Sequence, residues 1–483
     1  MGGRHGERRA TVREERSVSD RLSKYFLPAM IAICCLFAAY AAAFHPAYFS
    51  SSDQLATLLF AQILLAAVWK YRTRFFPLLL ATFLWAGMAL PFNGAWTSGR
   101  WLVLAVGALA GLVVYTRDER QSFAIFHLVA LFCVVAALVS AAVSAYPSLA
   151  FSKAVSFLLL FLYGSSGARV AVIGRERSFF SKLLLGSELL VYISAISYLI
   201  FHSEIFGNPN SLGAVMGVVA APILLWGILA SEQPGTRRRT FAFALALLLL
   251  FGSYARAGIA AAAVSSILMC VALRRYGLLL KGVGLALLLA ALVAAVAPLH
   301  QQPSDSLTSV FVYKGRREAG VLASRRPIWD ETFSAIQEHP WLGSGFGTSP
   351  TSSEVVQRPE TFESLREATR EHGNSYLAIT EWVGFVGDIP FLVLVILIAM
   401  NVGRALGQGR RTGLAGSPAI PLAGVLAAGL VHAAFEDWLF APGYYLCVFF
   451  WALAFVLVDI LATTSVVTVK PSAPQAWTHG LGA

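Results

Sequence analysis

Charge is what this sequence has least of. Only 13% of its 483 residues are Asp, Glu, Lys or Arg, while 57% are hydrophobic. Soluble domains carry about 25% charged and roughly 45–50% apolar residues. So few ionised groups do not cover the surface of a soluble chain this long. Cysteine is scarce too. Cys34, Cys35, Cys133, Cys270 and Cys447 all fall inside apolar runs and none has metal-ligand spacing. That excludes a disulfide framework and a cysteine-built zinc site. There is no H-E-x-x-H motif, no phosphate loop and no outer carboxylate cluster that demands a divalent cation, so no metal and no cofactor are expected.

What is present is a series of apolar runs near 20 residues, matched to a bilayer core about 30 Å thick. They predict spans over 25–44, 54–69, 75–91, 100–116, 123–144, 149–168, 179–201, 210–230, 240–254, 256–273, 282–299, 373–402, 418–437 and 442–463. Each run is continuously apolar, which argues for helices and against a barrel of short alternating strands. The expected fold is an all-α polytopic membrane protein of about 12–14 transmembrane helices with one long structured outer loop. The run 240–273 is read as a hairpin, because 34 residues at about 1.5 Å each overshoot the bilayer.

The net charge is +11. Its distribution points to membrane topology, not to nucleic acid. With the N-terminus placed inside and sides alternating, the inner segments hold nearly all Lys and Arg. The short outer loops hold only Arg100, Lys153 and Arg256. Both termini are thus expected in the cytoplasm. The chain divides into a basic tail 1–24, a helical bundle 25–298, a long outer loop 299–372, C-terminal helices 373–463 and a tail 464–483. The loop carries eight basic and ten acidic residues. Within it Pro327 can start a helix, with Trp329, Phe333 and Ile336 on one face, and Pro340 ends it.

Several residues stand out as chemistry. Arg256 sits at the outer end of a span, where topology disfavours a cation, and a guanidinium suits phosphate. Arg325 and Arg326 open the loop helix, whose positive end adds to an anion clamp. Gly343, Gly345 and Gly347 allow close backbone approach to a ligand, although a plain turn after Pro340 explains them as well. His372 lies where the next span begins, beside Asn374, Ser375 and Tyr376, and accepts a proton near neutral pH. Asn208 and Asn210 start another span, where capping accounts for them without function. Glu436 and Asp437, after His432, either orient a base or face water.

The ordered set Phe206-Gly-Asn-Pro-Asn-Ser-Leu-Gly213, Ser253-Tyr-Ala-Arg256, Arg325-Arg-Pro-Ile-Trp329, His339-Pro-Trp-Leu-Gly-Ser-Gly-Phe-Gly347 and His372-Gly-Asn-Ser-Tyr-Leu377 resembles the bacterial O-antigen ligase and O-antigen polymerase family. Glu381, Gly384 and Gly387 follow in the same order. The resemblance spans about 206–457. The family's Ser-Arg dipeptide is here Ser-Tyr-Ala-Arg.

The resemblance implies a membrane glycosyltransferase of the C-type fold in the bacterial inner membrane, its long loop periplasmic. It implies metal-independent, inverting transfer of a glycan from an undecaprenyl diphosphate carrier to an acceptor hydroxyl. The acceptor is a second lipid-linked glycan in a polymerase, and lipid A-core or a protein hydroxyl in a ligase; polysaccharide assembly proteins are possible partners. The family's essential arginines correspond to Arg256 and to Arg325 or Arg326, and its histidine to His372. Asn208, Asn210, Trp329, Gly345, Asn374, Tyr376 and Glu436 are the candidate substrate contacts. The alternative function is a transporter or flippase of lipid-linked glycan, which predicts internal repeats and mid-span charge. No repeat is evident, and the sequence shows little charge within its runs.

Overall fold

The computed structural model describes residues 75–88, 93–115, 124–200, 205–230, 235–296, 325–349 and 369–467. The runs at 25–44 and 54–69, both tails and much of the long loop lie outside these residues. Among the described residues the chain forms helices and no strand. In order these are α1 (Phe75–Ala86), α2 (Asn93–Tyr115), α3 (Ile125–Ala142), α4 (Pro147–Val172), α5 (Glu176–Ile200), α6 (Pro209–Leu229), α7 (Thr236–Gly252), α8 (Arg256–Ala272), α9 (Tyr276–Val296), α10 (Arg326–Glu338), α11 (Ser375–Thr412), α12 (Ala419–Ala433) and α13 (Tyr445–Val467). Six of them are long and apolar enough to cross a membrane. Large side chains such as Phe132, Leu189, Leu287 and Ile389 stand on the outside of the bundle. A soluble monomer does not present so much exposed apolar surface; lipid accounts for it. The chain is an all-α polytopic membrane protein.

Local chemistry sets the helix ends. Asn208 caps α6, its side chain accepting from the Ser211 N–H at 2.7 Å, and Pro209 takes the first turn. Asn374 caps α11 in the same way, accepting from the N–H groups of Tyr376 and Leu377. The run 240–273 is a hairpin. It turns at Ser253–Ala255, where Tyr254 adopts φ 52° and Ser253 Oγ donates to the Leu250 carbonyl. Glycines let α6 and α8 approach closely: a Cβ on Gly217 meets the Gly258 carbonyl at 2.3 Å.

Three carboxylates lie buried within the described helices, Glu188, Glu381 and Asp459, more charge than the apolar runs suggest; Glu381 belongs to the candidate active site. Asp459 of α13 pairs with Arg169 of α4 at 2.8 Å. Glu188 of α5 pairs with Arg238 at 2.7 Å and Arg239 at 3.5 Å, both on α7. Each of these two is matched by arginine, so they act as ties between helices and do not form an open ion path.

Helix α11 carries the feature that positions the site. Its 38 residues run about 57 Å, and the helix is broken at Gly384, with φ 67° and ψ 175°. Only glycine takes that conformation without strain. The break frees backbone groups inside the bundle, and the loop after α10 takes them up. The N–H groups of Ser344 and Gly345 donate to the carbonyls of Glu381 and Trp382, at 2.9 and 3.1 Å. The Phe385 N–H donates to the Pro340 carbonyl at 2.8 Å. Buried backbone groups need such partners, so the break and the loop complete each other.

Candidate active site

The loop helix α10 begins with Pro327 in its first turn, as expected. Its buried face consists of Thr332 and Ile336, however, with Ile328 and Trp329 half-buried; Phe333 is exposed. The reason is rotation. The inward stripe runs through 328, 332 and 336, one residue round from the face that includes Phe333.

His372 lies just before α11 and is buried. Its backbone N–H donates to Asp437 Oδ2 at 2.8 Å, and its Nδ1 lies 3.3 Å from the same oxygen. Its Nε2 lies 2.9 Å from Ser349 Oγ and 3.3 Å from Glu381 Oε2. Trp382 stands edge-on to the ring and donates from Nε1 to Ser349. Glu381 in turn pairs with Arg370, which also reaches Glu331 at 3.3 Å. Burial alone pulls the His372 pKa down. The hydrogen bonds and charges of Asp437 and Glu381 outweigh it and hold the imidazole above its usual 6.5. Burial pushes the Asp437 carboxyl up, but the two bonds from His372 prevail and leave it below its usual range. Of the two side chains, Asp437 is the accessible one: 23% exposed against 1% for His372.

Arg325 precedes α10 and pairs with Glu436 at 2.5 Å. It also packs against Gly373, next to His372, where a Cβ meets its guanidinium at 2.4 Å. Burial pushes the Glu436 carboxyl up, and Arg325 opposes this only in part. Arg256 starts α8 and stands near enough to Arg325 for the two charges to act on each other. Arg326 points to solvent and makes no ion pair among the described residues. The structure thus gathers Arg256, Arg325, Glu436, Asp437 and His372.

The remaining candidates take local places. Asn208 and Asn374 are caps, and Asn210 is exposed. Tyr376 donates from its hydroxyl to the Leu430 carbonyl at 2.9 Å. Trp329 is half-buried on α10. Gly345 is packed too tightly for a ligand, since a Cβ there meets Ser144 Oγ at 2.1 Å.

His372, Ser349 and Asp437 line a cavity of about 840 Å³ together with Arg100, Lys153, Arg370 and Tyr444. Arg100 and Lys153 had appeared in the sequence only as exceptions to the charge pattern. Arg370 and Ser349 gave no signal there, because their partners Glu381 and His372, 11 and 23 residues away, are brought to them by the loop and not by any helical period.

These features define an all-helical polytopic membrane protein with an arginine-rich polar site where helix ends meet a loop. Residues 241–392 match a family model described as O-antigen ligase. This bears out the resemblance to O-antigen ligases and polymerases and supports a membrane glycan-transfer function of that type, acting on a lipid-linked glycan and an acceptor. The matched stretch contains Arg256, Arg325, His372 and Glu381; Glu436, Asp437, Arg100 and Lys153 lie outside it. No curated protein matches the chain.

Proposed function

We propose that the chain is a glycosyltransferase that moves a glycan from undecaprenyl diphosphate to an acceptor hydroxyl at the periplasmic face. The observation that carries this reading is that Arg325, with Arg256 nearby, is joined through Glu436 to the neighbouring Asp437–His372 pair. Arg256 and Arg325 hold the donor diphosphate. Fixed cations aimed at a leaving group stabilise the charge that develops on it. The acceptor hydroxyl reaches Asp437, the accessible member of the pair. Its oxygen forms a bond to the anomeric carbon as the bond from that carbon to the diphosphate oxygen breaks. The hydroxyl proton passes to the His372–Asp437 pair, and the bonding electrons leave with the diphosphate. One such displacement inverts the anomeric centre.

In this reading His372 orients and backs Asp437 and does not meet the acceptor itself, which its burial supports. The arginines do the electrostatic work that a metal does elsewhere, so turnover should survive chelation. The test is transfer by the purified chain from a lipid-diphosphate glycan to added acceptors. D437N should lower turnover by roughly 10²–10⁴-fold while leaving donor binding intact. Normal turnover in D437N, or strict dependence on a divalent cation, would overturn the mechanism. Long products would identify a polymerase and single additions a ligase.

A further inference from the structure

The cavity on the Asp437 side holds more positive charge than the mechanism above uses. Arg100 of α2 donates to the Gly443 carbonyl at 2.8 Å and stacks its guanidinium 5.1 Å from the centre of the Trp101 ring. Lys153 of α4 donates to the Gly347 carbonyl at 2.5 Å. Neither has a carboxylate partner among the described residues, whereas Arg370 beside them is matched by Glu381 and Glu331. The Arg100 Nε atom is buried without any hydrogen-bond partner. Two cations held by backbone carbonyls carry charge that no carboxylate among the described residues pairs with, and a phosphate is the anion that suits both.

The rest of the wall is apolar. Leu149, Phe151, Val155 and Leu159 of α4 line it over about 15 Å of helix, and Phe151 is 57% exposed on the outside of the bundle. A charged head against an apolar flank fits an amphiphile entering from the bilayer. Arg256, Arg325 and Glu436 do not line this cavity, while His372 and Asp437 do. A group entering from this side can therefore present a hydroxyl to Asp437.

Resting on the proposed transfer reaction, we infer that Arg100 and Lys153 form a second anion site, distinct from the Arg256–Arg325 clamp, and that the acceptor it takes is a lipid-borne phosphate or diphosphate. The enzyme then binds two phosphorylated amphiphiles at once, donor and acceptor, on opposite sides of the Glu436–Asp437 step. A protein hydroxyl lacks the phosphate this site is built to hold.

The test uses the full chain in neutral-lipid nanodiscs, with undecaprenyl phosphate as probe and bound copies counted by native mass spectrometry. R100Q/K153M should lose one bound copy relative to the wild type. K153R should keep it. Phosphatidylglycerol and inorganic phosphate at equal concentration should not displace it. In transfer assays the acceptor KM of R100Q/K153M should rise at least tenfold, with the donor KM unchanged. The inference is overturned if the double variant binds as many copies as the wild type, if the wild type binds none, or if either competitor displaces the probe equally well. An unchanged acceptor KM overturns it too. Absence of any glycan transfer alongside loss of one copy in R100Q/K153M would sink the transfer reading and leave the second anion site standing.

Discussion

Arg370 and Lys153 face the same cavity and differ in what holds them. Arg370 is clamped by two carboxylates, one of them the buried Glu381. Lys153 leans on a backbone carbonyl, as Arg100 does. The first arrangement consumes a charge to fix a histidine; the second displays one. Proximity to a site does not reveal which cations meet a ligand. The partner does. The same distinction separates Arg325, tied to Glu436, from exposed Arg326, tied to nothing among the described residues.

The contrast can be broken in several ways. The largest effect belongs to the pair at its centre: D437N should lower kcat by roughly 10²–10⁴-fold, the usual contribution of a general base, in a single-turnover assay with donor already bound. R256Q and R325Q should each cost about 10²–10³-fold, as for loss of one donor to a developing anion; steady-state rates with intact membrane expression would show it.

E381Q should leave Arg370 held by the exposed Glu331 alone. Breaking such a buried pair costs about 3–5 kcal/mol, readable as earlier unfolding in a denaturant titration of the detergent-solubilised protein. The same change removes one of the two carboxylates that raise His372. The wild-type rate should climb with pH as the His372–Asp437 pair loses a proton above 6.5, because only the deprotonated pair takes up the hydroxyl proton. In E381Q that acid limb should move to lower pH. The stability that His372 draws from its carboxylates has the opposite sense: it is fully present below 6.5 and fades as pH rises through the raised value. The smallest effect is that of R326Q, which should leave turnover within about twofold, since an exposed, unpaired charge contributes little. A large loss there would erase the distinction between the two arginines.

Much of the helical order was legible in the sequence, because lipid imposes one rule on every span. The hairpin at 240–273, the start of α10 at Pro327 and the caps at Asn208 and Asn374 all follow from local signals. The candidate site was half legible. Arg256, Arg325 and His372 stand out because a charge or a histidine at a helix end needs a reason. The choice between Arg325 and Arg326 depended on Glu436, 111 residues away in the chain. Arg370, Ser349 and the exposure of Asp437 depended on contacts that no periodicity encodes. The buried face of α10 was misjudged by one residue, a rotation that a short amphipathic stripe does not settle.

The break at Gly384 has one more consequence. The stretch from Pro340 to Gly345 is fastened at both ends to backbone atoms on either side of that glycine. Its residue count is therefore fixed, and so are Gly343 and Gly345, whose φ of 74° and 114° and close neighbours leave no place for a side chain. One inserted or deleted residue would detach either the Phe385 donor or the Glu381 and Trp382 acceptors. The stretch works as a gauge block, and its length sets the height at which Ser349 meets His372.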